Sequence, residues 1–283
     1  MTLEIGKTNS LEVLRTVPMG LILGDAVDEV LLPTRYVPEG ASPGDRLDVF
    51  VYTDSEDRPI ATTESPMAEA GEFASLRVVS VGRIGAFLDW GLPKDLLLPF
   101  RYQLRRVEPD QKVVVRIFCD RASGRPVATA KIDRFLESRS VDLRQGQAVD
   151  LLFYEETDLG TKAIVDGRFG GLLYHELGTL GPEPGTKQKG YVQHVREDGK
   201  IDLTLVPSGK AGIDAAHEIV VDALHAAGGR LELGDRSEPQ EIRSMLGLSK
   251  KAFKRALGSL YRERRIRIGE SFIEMTDAGE ESE

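Results

Sequence analysis

Up to about Leu205 the chain is written in short runs where apolar and polar residues alternate, broken by glycine, proline or aspartate. Runs of this kind predict strands rather than helices, because successive side chains of a strand point to opposite faces. Between residues 67 and 132 the pattern predicts five: Phe73–Val81, Gly85–Asp89, Leu96–Phe100, Lys112–Phe118 and Pro126–Lys131. Leu76, Val78 and Val81, with Val113, Val115 and Ile117, supply the inward positions. Asp54–Arg58 and Asp120–Arg125 read as hairpin turns. Five strands in ~65 residues are too few for a two-sheet sandwich, whereas a small closed barrel leaves no exposed edge.

The whole pattern repeats. Arg58-Pro-Ile-Ala-Thr-Thr63 returns as Arg125-Pro-Val-Ala-Thr-Ala130, and Leu31-Leu-Pro33 as Leu97-Leu-Pro99, at spacings of 67 and 66 residues. A looser third copy holds Gly160–Val165, Gly171–Tyr174, Lys189–Val195 and Lys200–Leu205. A period this long means a row of like domains. The expected architecture is mainly β: three tandem five-stranded barrels of the oligonucleotide/oligosaccharide-binding (OB) fold at 1–66, 67–137 and 138–210. A connector, Ile132–Ser138, follows the second barrel.

From 211 to 283 the period changes. Ile213, Ala216, Val220, Leu224 and Ala227 form a helical stripe. A strand at Leu231–Leu233 follows, then a helix capped by Ser237 and ending at Leu246, and a helix Lys250–Arg262 capped by Ser249. A hairpin of Arg265–Ile268 with Ser271–Met275 completes the order of a winged helix. The tail Asp277–Glu283 is acidic and expected to fray.

Gly85-Ala-Phe-Leu-Asp89 followed by Leu96-Leu-Leu-Pro99 resembles the RNA-binding S-one (S1) domain. The order of three such barrels and a winged helix resembles the conserved virulence factor B family of bacterial RNA-binding proteins. Arg-Pro-Ile-Ala-Thr62, Gly171-Leu-Leu-Tyr174 and Gly190–Leu205 carry the resemblance across nearly the whole chain. It implies single-stranded RNA as partner and regulation of expression after transcription. The family's stacking phenylalanine falls on Ile22, Phe87 and Lys162 in the three repeats, and its histidine on Pro33, Pro99 and Tyr174.

The net charge of −9 argues against a polyanionic partner until it is divided along the chain. Residues 1–66 carry −7, but residues 67–132 carry +4. Local excess is what counts, since charges beyond about 8–10 Å are screened in physiological salt. One cysteine, Cys119, excludes a disulfide framework, and no run approaches the ~20 apolar residues of a membrane span. A cytoplasmic protein with no membrane partner is expected.

Single-stranded nucleic acid is held by rings beneath bases and cations along the backbone. In the second repeat the expected RNA-binding residues are Phe87, Trp90, Phe100, Arg101, Tyr102, Arg105 and Arg106. In the third they are Lys162, Arg168, Tyr174 and His175. The first repeat, acidic and without the aromatic, is assigned none. On the last helix and its hairpin Lys250, Lys251, Lys254, Arg255, Arg265 and Arg267 are added. The helix dipole accounts for a cation at a C-terminus but opposes lysines at an N-terminus. The bland alternative is that rings such as Phe87 and Phe100 fill cores while the cations form solvated faces.

No catalytic motif emerges. The four histidines are scattered, and no His-Glu-x-x-His, Gly-x-Ser-x-Gly or paired-cysteine pattern is present. The expectation is a non-enzyme without cofactor or metal. Two other readings stay open: a winged-helix DNA-binding transcriptional regulator, and a protein-interaction scaffold.

Overall fold

A computed structural model describes residues 3–25, 27–139, 141–175, 181–207 and 209–276, with side chains throughout except at 209–215 and 243. The expected frayed tail lies outside the described residues. The chain divides into two compact units, Met1–Val141 with Asp150–Gln188, and Asp142–Val149 with Lys189–Glu283.

In the first unit, strands β1 (Lys7–Val17), β2 (Gly20–Gly24), β3 (Glu29–Pro33), β4 (Arg46–Thr53) and β5 (Pro59–Thr62) close a barrel in the order β1-β2-β3-β5-β4. Closure needs one parallel pair, Leu31 of β3 against Ile60 of β5. The next five strands repeat this wiring: β6 (Phe73–Val81), β7 (Gly85–Asp89), β8 (Leu96–Pro99), β9 (Lys112–Cys119) and β10 (Pro126–Thr129). Again β8 and β10 pair in parallel, Leu97 against Val127. A third barrel has the same order, built from β11 (Ala148–Thr157), β12 (Gly160–Val165), β13 (Phe169–Tyr174), β14 (Lys187–Val195) and β15 (Ile201–Thr204). Three closed five-stranded barrels are therefore present, as the periodicity implies.

Two local devices recur because the barrel requires them. One glycine opens the second strand of each copy, and a Cβ there would overlap the carbonyl oxygen of Leu32 (at Gly20), Leu98 (at Gly85) or Leu173 (at Gly160). Only a residue without Cβ lets the two strands approach so closely. The second device is a bulge in the first strand of each copy, with Leu14, Val79 and Tyr154 as the extra residues. A bulge bends and coils the strand, so that it can pair on both sides of the barrel. It also changes the phase of the alternation. Leu76 and Val78, ahead of it, are buried; past it Val81, expected inside, pairs with the buried Ala86 but is exposed at the strand's end.

The repeated Arg-Pro-x-Ala-Thr motif is the fifth strand. Its Ala61, Thr62, Ala128 and Thr129 are fully buried. The third strand ends at Pro99 rather than Phe100, because Phe100–Tyr102 turns into a 3-10 helix, as Thr34–Tyr36 does in the first copy.

The first two barrels share a core. Phe50 and Tyr52 on the outer side of β4 pack with Trp90, Leu96 and Ile117 of the second. Lys94 donates from Nζ to the carbonyls of Thr53 (3.0 Å) and Asp54 (2.5 Å), and Arg125 pairs with Asp57. The connector holds a 3-10 turn, Asp133–Phe135, and Ile132 packs with Val114, Leu152 and Ile164.

In the second unit, α1 (Gly209–Ala226) precedes β16 (Arg230–Leu231), α2 (Pro239–Leu246), α3 (Lys250–Arg262), β17 (Ile266–Ile268) and β18 (Ile273–Met275). The sheet order β16-β18-β17 with these helices is a winged helix. Ala216, Val220 and Leu224 of the expected stripe are buried, but Ala227 lies past the helix end and is exposed. Ser237 does not cap α2; its hydroxyl accepts from the Gly234 amide (2.8 Å). Leu233 is buried without being in a strand.

Candidate nucleic-acid interface

Phe87 stands on β7 opposite Ser80 and Leu97. It is half-buried and lines a crevice of about 120 Å³ whose walls include Tyr52 and Thr53 of the first barrel, with Lys94 and Arg125. The expected stacking ring of the second repeat is thus neither a core residue nor an open platform.

Trp90 requires a correction. It is 2% exposed, meets Phe50 edge-on at a centroid distance of 5.6 Å, and donates from Nε1 to the Lys94 carbonyl at 2.6 Å. Both its faces and its polar handle are used inside the protein, so it offers no surface to a base. The same packing pushes the Tyr52 phenol up to about 12 through burial.

The 3-10 turn after β8 presents the other candidates. Phe100 and Tyr102 are half-buried, while Arg101, Arg105 and Arg106 are exposed. The Arg106 guanidinium lies 3.8 Å from the Phe100 centroid, and that of Arg101 lies 4.7 Å from Tyr102. Tyr102 meets Phe118 edge-on at 5.3 Å. Sequence reasoning missed Phe118, Phe135, Arg116 and Arg134, which join this group from β9 and the connector. Arg105 turns toward a groove of about 750 Å³ that also contains His175, bringing together candidates 70 residues apart. That groove has mixed charge, with Lys112 beside Glu155, Glu156 and Asp158.

In the third repeat Lys162 is not a free cation. It pairs with Glu155 at 2.8 Å and with Asp133 of the connector at 3.0 Å. Burial alone would lower its ammonium, but these two hydrogen bonds outweigh it and hold the pKa above its ordinary value. Asp133 also accepts from the Tyr154 hydroxyl. The expected phosphate contact is instead a clasp between connector and barrel. Arg168 is likewise engaged, with Glu137 at 2.9 Å, while its guanidinium lies over Phe169. Tyr174, at the end of β13, is 38% exposed. His175 places Nε2 at 3.4 Å from the Thr161 hydroxyl.

Helix α3 separates its faces cleanly. Phe253, Ala256, Leu257 and Leu260 are buried, and Ser249 caps the N-terminus by accepting from the Ala252 amide (3.2 Å). Opposite them Lys250, Lys251, Lys254 and Arg255 surround one open, shallow depression. Lys254 pairs with Asp235 at 2.9 Å. Arg265 and Arg267 are exposed on and beside β17, with Glu263 at 3.9 Å from Arg265 and Glu274 across the strand from Arg267. Among the described residues no cluster of His, Cys, Asp or Glu is arranged to hold a metal, and no described helix is long and apolar enough to cross a membrane.

Comparison with known proteins agrees with this architecture. The S1 domain family matches residues 5–64, and the CvfB-like winged helix domain matches residues 218–275. The chain is 26% identical over 269 residues to the protein YitL of Bacillus subtilis, covering 92% of this chain and 90% of that one. It is 22% identical over 244 residues to conserved virulence factor B of Staphylococcus aureus, covering 83% and 81%. A crystal structure of a multidomain protein with nucleic acid binding domains from Streptococcus pneumoniae aligns over 96% of this chain and 98% of that one, at 20% identity and a TM-score of 0.45. S1 and winged-helix domains are nucleic-acid-binding and typically non-catalytic, so nucleic acid is the partner class this domain set supports. The chain thus carries a winged helix of the CvfB-like kind and is similar to conserved virulence factor B over most of its length.

Proposed function

We propose that this protein binds single-stranded RNA without acting on it chemically, and regulates gene expression after transcription. The observation that carries the reading is the cation group on the solvent side of α3. Lys250 and Lys251 occupy its first turn, where the helix dipole disfavours positive charge, and Arg255 follows in the second beside Lys254, which already pairs with Asp235. A phosphate backbone supplies the missing counter-charge. The S1-type barrels, with the exposed arginines near Tyr102 and the ring of Tyr174, incline the reading toward single strands, whose bases can stack.

Binding of a fluorescent single-stranded RNA and of a duplex DNA of equal length at low salt tests this reading. Tighter binding of the RNA is expected. Preference for the duplex would favour a DNA-binding regulator, for which the cationic helix of the winged module also speaks. Binding of neither would leave the scaffold reading. Replacing Lys250, Lys251 and Arg255 with glutamine should make the salt dependence shallower, by roughly 0.7 in slope per lost phosphate contact on a single strand.

A further inference from the structure

The outer side of β9 carries an arrangement that closing the barrel does not require. Phe118 lies between Tyr102 and Phe135, at centroid distances of 5.3 and 6.3 Å. Three arginines are layered on these rings. Arg101 is 4.7 Å from the Tyr102 centroid, and Arg134 and Arg116 are 4.6 and 4.4 Å from that of Phe135. Side chains from three places in the sequence thus form one ladder of guanidinium and ring.

Its charge is barely compensated. Arg101 reaches Asp120 only at 3.5 Å, and among the described residues Arg116 and Arg134 have no carboxylate partner. Burial lowers the Arg116 guanidinium below its ordinary value, with no anion to offset the effect. The first barrel shows what the same positions do when their job is packing. Phe50 and Tyr52, 66 residues before Arg116 and Phe118, are sealed against Trp90. Arg116 donates from Nε to the Gly71 carbonyl at 3.2 Å, a bond that ties the side chain down but brings no counter-charge to it.

We propose that this ladder is a binding site for single-stranded RNA, in which bases stack on the guanidinium planes and rings while phosphates pair with their charges. It rests on the RNA-binding reading above and gives it a location away from Phe87, since β7 and β9 are not neighbours in the barrel. A stacked arginine keeps its N–H edge available for phosphate while its plane serves a base. An acidic peptide would meet the charges but leave the planes unused.

The test uses the full chain and a fluorescent oligouridine of twelve nucleotides, read by anisotropy. Three paired variants are compared: Arg101→Gln with Arg134→Gln, Arg101→Lys with Arg134→Lys, and Arg83→Gln with Arg121→Gln as an exposed control in the same barrel. The glutamine pair should lose about tenfold or more in affinity. The lysine pair, which keeps charge but not the plane, should lose about three- to fivefold with an unaltered salt slope. The control should change by less than about twofold. Should the glutamine pair fail to fold, the lysine pair decides alone. Wild-type affinity in the lysine pair would overturn the proposal, as would displacement of the RNA by oligoglutamate as effectively as by oligouridine. A wild-type chain that binds no RNA at low salt would bring down the underlying reading as well, which separates the two failures.

Discussion

The first and second barrels have one wiring and opposite surfaces. Both start their second strand with a glycine pressed against a carbonyl, and both carry an Arg-Tyr stack in the 3-10 turn after the third strand. Tyr36 of the first is buried, and its counterpart Tyr102 is half-exposed. Ile22 corresponds to Phe87, and Phe50 and Tyr52 correspond to Arg116 and Phe118. The first barrel has turned its outward positions apolar and docked them on the second. Its acidic hairpin meets Lys94 and Arg125, so that cations of the second barrel face its carbonyls and Asp57. Topology is held by inward residues and glycines, and the outward positions decide whether a barrel is packed against or left exposed.

The largest effect should come from Trp90, the residue on which the two barrels meet. Trp90→Ala removes a ring in contact with Phe50 and Tyr52 and should destabilise the chain by about 3–5 kcal/mol, read from the urea midpoint. A mild loss of stability accompanied by a large loss of RNA affinity would mean that Trp90 faces ligand and that the shared core is wrongly described.

A smaller cost is expected where the barrels are alike. Gly85→Ala drives a methyl into the backbone of β8 and should cost about 1–3 kcal/mol, with a similar cost for Gly160→Ala against β13. Tolerance of alanine at Gly85 alone would break the equivalence of the copies.

These features differ in how far the sequence announces them. Alternation and the recurring glycines locate the strands, and Phe73–Val81, Gly85–Asp89 and Lys250–Arg262 have the bounds their patterns predict. Val81 escapes because it is the last residue of its strand, exposed although the bulge brings it opposite the buried Ala86, and alternation does not reveal how far the cover extends. Trp90 reads as a surface aromatic beside arginines, since its packing partners lie some forty residues upstream in another barrel. Lys162 reads as a free cation because Asp133, its partner, sits in a connector with no periodicity. The ladder is invisible for the same reason: Tyr102, Phe118 and Phe135 become neighbours only when the barrel closes.

Making the second barrel resemble the first at one outward position gives a finer test. Phe87→Ile installs the residue type of Ile22. Half of the ring is already covered, so the change should sit near the lower end of the stacking range, about 1 kcal/mol or roughly fivefold in RNA affinity, with folding intact. An affinity equal to wild type would assign Phe87 to the crevice it shares with Tyr52 and leave RNA to other surfaces.

The smallest expected effect separates the two ways in which barrels are joined. The Phe50–Tyr52–Trp90 seal contains no group that titrates near pH 4. The clasp on β12 depends on the Asp133 carboxylate, for which burial opposes ionisation but hydrogen bonds from Tyr154 and Lys162 prevail, leaving its pKa below the ordinary value. A depressed carboxylate contributes stability that is complete above the unfolded pKa of about 3.9 and disappears as pH falls through the folded value. The side chain is largely exposed, so the contribution should stay under about 1 kcal/mol. Urea unfolding at pH 6 and pH 3 should therefore show a slightly greater acid loss for wild type than for Asp133→Asn. Equal losses in the two proteins would mean that apolar packing of Ile132 with Leu152 and Ile164 holds the connector without help from the charge.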